Sequence, residues 1–286
     1  MGKLWHIAKF ESPKTTIEKL TVFLHDTEVA GIMEEDKEDT TLLTAYYDPD
    51  RFDLIELKKI FDQFLILPEN SKVRASYETA ELDDWTESWK QWFSPFEIVP
   101  GITISPTWED EAVPSENKII IDPKMAFGTG LHPTTKLCAS EIHRLSRRGE
   151  RRSLIDVGTG SGILAMVAGK LAFSPISAVE NDPVAAEIAS ENFSLNGMPE
   201  IKVLADISMV KKRYDVVVAN ILLSTLTELR DELLNILAPR GSIVLSGITH
   251  DQADDILKIF SETLSLRRHD KMGEWSSMTF TTEESE

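Results

Sequence analysis

Two glycine-rich segments hold the residue types best suited to chemistry. Residues 122–135 read DPKMAFGTGLHPTT, and residues 154–164 read LIDVGTGSGIL. In the second, an apolar strand pattern runs directly into Gly158, Gly160 and Gly162, and a helix start follows. Glycines at such a turn let the backbone bend sharply and approach a ligand with no Cβ in the way. Glu180 follows Gly158 by 22 residues, at the end of the next apolar segment. A carboxylate there can accept hydrogen bonds from two ribose hydroxyls. This is how an adenosine-bearing cofactor is held. The first segment is a loop with two glycines, several hydroxyls and an aromatic ring, Phe127. Phe127, Gly128 and Thr129 are placed to fold over the reactive end of that cofactor and exclude water. Together the segments point to a cofactor-dependent transferase.

The glycine spacing separates two cofactor classes. A dinucleotide turn carries GxGxxG, whose third glycine packs helix on strand. Here the run is GTGSG, so the spacing is GxGxG. That argues against a nicotinamide dehydrogenase, as does the lack of a hydride-transfer acid/base pair. Asp206, after the third strand pattern, is placed to reach an adenine amino group, or else to cap a helix. Asn220 ends the apolar run VVVA. Its carboxamide offers one acceptor oxygen and two donors, enough to orient an incoming amine, and it also suits a strand-end turn.

Several elements must position these groups. Residues 1–78 follow a β-α-β-β-α-β rhythm: strands at 4–10, 31–34, 41–47 and 72–77, helices at 15–25 and 50–67. That order is a ferredoxin-like α+β sandwich, read as a substrate-recognition domain. Residues 79–94 form a linker helix with Trp85, Trp89 and Trp92 along one side. From 95 onward, short β segments lead to a strand at 118–121. Strands at 154–157, 176–179, 201–204, 215–219 and 242–246 then alternate with helices at 163–172, 183–196, 224–237 and 251–261. Two more strands, at 264–269 and 275–281, form an antiparallel addition. Alternation of this kind predicts an α/β fold, a Rossmann-like parallel sheet covered on both faces.

Composition bounds the function. The chain has 286 residues, 48 acidic and 30 basic side chains, and a formal charge of −18. Such a surface disfavours direct nucleic-acid binding, which needs Lys/Arg clusters to displace counterions. It draws in a basic protein. Cys138 is the only cysteine, so no intramolecular disulfide forms; it is expected as a small core residue in a reducing, cytoplasmic setting. No signal peptide, membrane-spanning run or zinc spacing is evident, so no membrane partner and no metal are expected. A monomer is expected.

The strings DPKMAFGTGLHPTTKLC, LIDVGTGSGILA, the acid in AVENDPVA, and VVVANILL resemble the ribosomal protein L-eleven (L11) methyltransferase family. The run DDWTESWKQWFSPF resembles its linker. The resemblance covers nearly the whole chain, strongest over 118–250 and weakest over 1–78. It implies a class I methyltransferase domain behind a small recognition domain, with S-adenosyl-L-methionine as cofactor. By motif it assigns cofactor contacts to Thr135, Gly158, Glu180 and Asn220; Gly160, Phe127, Gly128, Thr129 and Asp206 join them from the residue reading. It implies methylation of lysine ε-amines and the α-amine of L11 as protein partner, free before ribosome assembly. Lys124 stands where glycine is common, and Leu131 where a hydroxyl is common. The alternatives are another protein-lysine methyltransferase and a non-catalytic ribosome-assembly module.

Methyl transfer to an amine sets one physical problem. A free lysine has a pKa of about 10.4 and is almost wholly protonated at neutral pH. Burial beside a cationic sulfonium lowers that pKa. No histidine or carboxylate in the motifs stands out as a dedicated base, and Asn220 is expected as the catalytic, amine-orienting group.

Overall fold

The computed structural model describes residues 3–25, 27, 29, 31–37, 39–82, 95–108, 117–121, 130–147 and 153–282. The expected linker helix with its three tryptophans lies outside these residues, as do Lys124, Phe127, Gly128 and Thr129. The chain divides into two compact units, Met1–Trp92 and Phe93–Glu286. Among the described residues, no helix is long and apolar enough to cross a membrane.

The first unit runs β1 (Lys3–Pro13), α1 (Ile17–His25), β2 (Gly31–Asp36), β3 (Thr40–Tyr47), α2 (Leu54–Leu65), β4 (Arg74–Leu82). Its sheet is antiparallel in the order β2-β3-β1-β4. Alternation sends Ala8, Phe10, Leu43, Ala45 and Tyr47 into one core. Asp53 opens α2 by accepting from the N–H groups of Ile55 and Glu56, and Leu57, Phe61 and Phe64 form its buried stripe. The Phe61 ring stacks on Tyr77, with centroids 5.6 Å apart, and meets Phe10 edge-on. Strand β4 runs past residue 78 to Leu82, because its ladder with β1 continues to the Lys3–Leu82 pair.

The second unit opens with a three-stranded sheet of β5 (Phe96–Val99), β6 (Ile102–Pro106) and β7 (Lys118–Ile121). Helix α3 (Pro133–Ser146) follows. The sequence pattern over this stretch assigns no helix; the signal it does carry is Pro133 at the first helical position behind the His132 cap. Next come β8 (Leu154–Val157), α4 (Ile163–Lys170), β9 (Ile176–Val179), α5 (Pro183–Leu195), β10 (Lys202–Leu204) and β11 (Tyr214–Asn220). The expected helix over 224–237 is two segments, α6 (Leu223–Glu228) and α7 (Arg230–Asn235), divided at Leu229. There the Arg230 guanidinium turns to the Ile259 carbonyl. The chain ends with β12 (Leu237–Thr249), α8 (Ala253–Phe260), β13 (Ser265–Met272) and β14 (Trp275–Thr281).

These strands form one seven-stranded sheet in the order β10-β9-β8-β11-β12-β14-β13. The first five are parallel; β14 and β13 add antiparallel. The chain steps from β8 outward through β9 on one side and through β11 on the other. The point between β8 and β11 is therefore the topological switch point, where open α/β sheets bind ligands beyond the strand ends. Successive residues serve opposite faces: Leu154, Val216 and Val218 join the core shared with α3 and α4, while Ile155, Val217 and Ala219 join the other.

Asn196, just past α5, fastens β7 to this layer. Its Oδ1 accepts from the Ile120 N–H at 2.7 Å, and its Nδ2 donates to the Ile120 carbonyl at 2.6 Å. Asn196→Ala leaves both Ile120 groups unpaired. It should cost on the order of 1–3 kcal/mol, seen as a lower urea midpoint with an unchanged slope. An unchanged midpoint would mean that β7 is held by packing alone.

Candidate active site

The glycine turn closes on the neighbouring strand. The N–H groups of Gly158 and Thr159 both donate to the Val179 carbonyl, at 2.9 and 3.0 Å. The next amide, Gly160, donates to Glu180 Oε2 at 2.9 Å, and Asp182 N–H donates to Oε1 at 3.1 Å. Glu180 is thus oriented through both oxygens, and each keeps a lone pair for a ligand hydroxyl. Gly158 and Gly162 have φ of +71° and +84°. A Cβ on Gly158 would stand 2.3 Å from Ile221 Cγ2, and one on Gly162 would stand 2.6 Å from the Phe193 ring. Side chains are excluded at both by sterics as well as by φ.

Across the switch point stands Asn220, the last residue of β11. Its Nδ2 donates to Thr135 Oγ1 at 3.5 Å, and Thr135 is buried on the first turn of α3. Its Oδ1 is buried and, among the described residues, has no hydrogen-bond partner. A buried acceptor without a partner is costly and calls for an explanation. Ile221, next in the chain, donates its N–H to the Ser246 carbonyl at 3.2 Å. Gly247, at φ +84°, packs so closely on Ile221 that a Cβ there would stand 2.4 Å from the Ile221 carbonyl oxygen. The Ile221 carbonyl thus lies close against Gly247 of β12, while the Asn220 carboxamide oxygen is an acceptor on offer at the strand end.

The other expected site residues fall as follows. Asp206 is exposed, and its Oδ1 accepts from the Ser208 N–H at 2.7 Å, capping the turn Ile207–Met209. Bonds from Ser208 hold its carboxyl below the usual carboxylate range. Thr135, Gly158, Gly160, Glu180 and Asn220 come together around the ends of β8, β9 and β11. Phe127, Gly128 and Thr129 are outside the described residues.

Four further residues shape the site without standing out in the motifs. His132 caps α3, with Nδ1 2.7 Å from Thr134 Oγ1, and its ring meets Trp275 edge-on at 4.7 Å. Gly247 makes the close approach described above. Asp156 is buried in the middle of the apolar run Leu154–Val157, and burial lifts its carboxyl to about 6. A charged residue inside a strand of a parallel sheet is the signal that marks it. His132 and Trp275 carry no comparable local signal, since their partnership joins distant segments.

The family described as ribosomal protein L11 methyltransferase (PrmA) matches residues 4–283. A ribosomal protein L11 methyltransferase of Streptococcus pyogenes serotype M4 is 36% identical over 256 residues, covering 86% of this chain and 80% of that protein. The Geobacter metallireducens protein of the same name is 32% identical over 299 residues, covering 98% of this chain and 99% of its own. The solved structure of the ribosomal protein L11 methylase from Lactobacillus delbrueckii subsp. bulgaricus superposes with a TM-score of 0.60 at 29% identity, over 67% of this chain and all of that one.

The packing of Gly247 gives a direct test of how Asn220 is held. Gly247→Ala combines a strained φ with a clash against backbone. It should cost on the order of 1–3 kcal/mol and lower the thermal midpoint by several degrees. An unchanged midpoint in differential scanning calorimetry would mean that the Ile221 segment is free to shift.

Proposed function

The chain belongs to the ribosomal protein L11 methyltransferase family, and from that premise we propose that it transfers methyl groups from S-adenosyl-L-methionine to lysine ε-amines and the N-terminal α-amine of L11. The observation that carries this reading is the buried Oδ1 of Asn220, without a hydrogen-bond partner among the described residues and set at the switch point beside the glycine turn.

The residues present fit the cofactor. The turn at Gly158 and Gly160 admits it without Cβ clashes, and Glu180 retains acceptor capacity for both ribose hydroxyls. Thr135 bounds the site from α3. Asp206 is placed toward the adenine, and the segment with Phe127, Gly128 and Thr129 serves as its cover. When bound, the cofactor supplies a methyl group on a sulfonium, an electrophile that needs no further activation.

The work left to the protein is positioning and drying of the nucleophile. Asn220 Oδ1 accepts an N–H of the incoming amine and aims its lone pair. Asn220 Nδ2 stands 3.5 Å from Thr135 Oγ1, and the carboxamide oxygen on its other side is the acceptor for the amine. Transfer of the lysine head into this site removes water from the ammonium, which lowers its pKa and lets the proton leave to solvent. The first unit, a four-stranded sheet with two helices, is the recognition domain for L11. The net charge of −18 speeds encounter with a basic protein.

Two outcomes follow. Asn220→Ala should lower kcat on the order of a hundredfold while the cofactor Kd, by calorimetry, changes only a few-fold. A variant in which only binding changes would remove the amine-orienting role. Deletion of residues 1–92 should abolish L11 methylation and leave cofactor affinity intact; full activity of the truncated enzyme would end the recognition role. The reaction itself is tested by mass spectrometry of purified L11 incubated with enzyme and cofactor. Additions of one methylene at lysines or the N-terminus are expected. An unmodified L11 with cofactor bound would move the reading to another acceptor.

A further inference from the structure

A chain of hydrogen bonds reaches the Asn220 segment from two histidines that the scheme above does not use. Ser276, the second residue of β14, is fully buried. Its Oγ lies 2.8 Å from His250 Nδ1 and 3.1 Å from His269 Nε2. Its carbonyl accepts the Ser246 hydroxyl at 2.8 Å, and the Ser246 carbonyl in turn accepts the Ile221 N–H at 3.2 Å. Ile221 follows Asn220 directly. Ser246 and Gly247 lie where the register between β12 and β14 shifts, between Leu245 and Ile248. The bulge that packs on Ile221 is thus fastened to β14 at the residue that the two histidines share.

One hydroxyl between two imidazoles has a definite proton count. Ser276 donates its single proton to one ring nitrogen and accepts the N–H of the other, so a neutral pair makes both bonds. One added proton keeps both, because the imidazolium takes the donor side. A second turns both facing nitrogens into donors. The buried hydroxyl then loses both ring acceptors for its own proton, and two like charges face each other across one oxygen. The charged groups around the pair are of both signs. On β13, Asp270 and Lys271 bear on His269; Arg268 pairs with Asp270 and lies 3.8 Å from Glu141 of α3, which also holds Arg144. Helix α8 presents Asp254, and the turn after Thr249 carries Asp251. Glu274 accepts the His250 N–H through its main-chain carbonyl. Strand β14 has no charged side chain, and the one charge on β12, Arg240, is toward that strand's other end. Burial first, then Lys271 and His250, hold the His269 imidazole below its usual range, against the pull of Asp270 and Asp254.

We propose that Ser276, held between His250 and His269, is a positioning residue for Asn220, and that this grip admits one added proton and is lost with the second. This rests on the amine-orienting reading of Asn220 given above. Both protons come from solvent, each adding to a ring-nitrogen lone pair. The sign of the pH dependence follows. The grip is complete above the ordinary imidazole range near pH 6.5 and persists through the first protonation. It fails as pH falls through the second step, which like-charge repulsion sets about one unit or more lower. The result is an acid limit on turnover that belongs to the enzyme and not to the acceptor amine.

Turnover of L11 at saturating cofactor, measured from about pH 5 to pH 8 in the full-length wild type and in His269→Gln, reads this limit. The ratio of the two kcat values cancels ionisation of the acceptor amine, which both share. Glutamine keeps a donor and an acceptor but takes up no proton. The ratio should therefore be constant above about pH 7, fall about twofold by pH 5.5, and fall further below. The cofactor Kd should follow the same pH course in both proteins. Long-range proton–nitrogen NMR of the histidine-labelled chain reads the pair itself. Two steps separated by about one unit or more are expected, with a narrower separation in Ser276→Ala. Ser276→Ala should also lower kcat several-fold at pH 8 with the KM for L11 unchanged. His269 is exposed, so the His269→Gln comparison stands whether or not Ser276→Ala folds. A ratio flat down to pH 5, two histidines that titrate independently, or a Ser276→Ala kcat equal to the wild type's would overturn the positioning role and leave the cofactor site and Asn220 standing. L11 left unmethylated by the wild type at pH 8 would overturn the function reading and this role with it.

Discussion

Ile221 is wedged between two glycines from different strands, and the geometry of the site depends on that wedge. Gly158, at the end of β8, leaves room for its side chain; Gly247, in the bulge of β12, leaves room for its backbone. Both glycines have positive φ, so no other residue serves in their place without strain. The wedge sets the distance between the turn that receives the cofactor and the carboxamide that receives the amine. In-line transfer tolerates little error in that distance, because the rate gain from positioning is lost with a misplacement of about 1 Å. The two halves of the chemistry are thus locked by packing and not by a polar network that water could dissolve.

Around this wedge the polar groups are oriented and left unsatisfied on one side. Glu180 is held through both oxygens by backbone N–H groups yet keeps free lone pairs. Asn220 is pinned at Nδ2 and open at Oδ1. Each is fixed in direction before a ligand arrives, so little reorganisation is left for the reaction step. The cost of the open atoms falls on the stability of the unit, and the large apolar layers on either face of the seven-stranded sheet carry it.

Much of this was legible in the chain. The strands at Leu154–Val157 and Trp275–Thr281 lie at the expected residues, the first because a buried strand reads as a short, mostly apolar run. Glu180 and Asn220 were visible as polar residues closing such runs. Helix α3 carried a local signal that the glycine loop before it overshadowed: Pro133 behind the His132 cap, and Cys138, Ile142 and Leu145 at helical spacing. Leu137, Cys138, Ile142 and Leu145 form its buried stripe, and packing on the sheet supplies most of its stability. Gly247 depends on a contact outside its own segment. A glycine in a strand pattern signals a close approach, and what approaches it is Ile221, just past the end of β11. At the break at Leu229, Arg230 reaches to the Ile259 carbonyl, a contact that is likewise non-local.

The account stands on the claim that the switch point binds the cofactor with its reactive end at Asn220. A crystal structure of the chain with S-adenosylhomocysteine tests that claim most directly. It predicts the ribose hydroxyls on Glu180, the adenosine over the Gly158–Gly160 turn, and the sulfur facing the open Oδ1 of Asn220. A ligand seated elsewhere, or a carboxamide turned so that Oδ1 takes a donor from the protein, would contradict it.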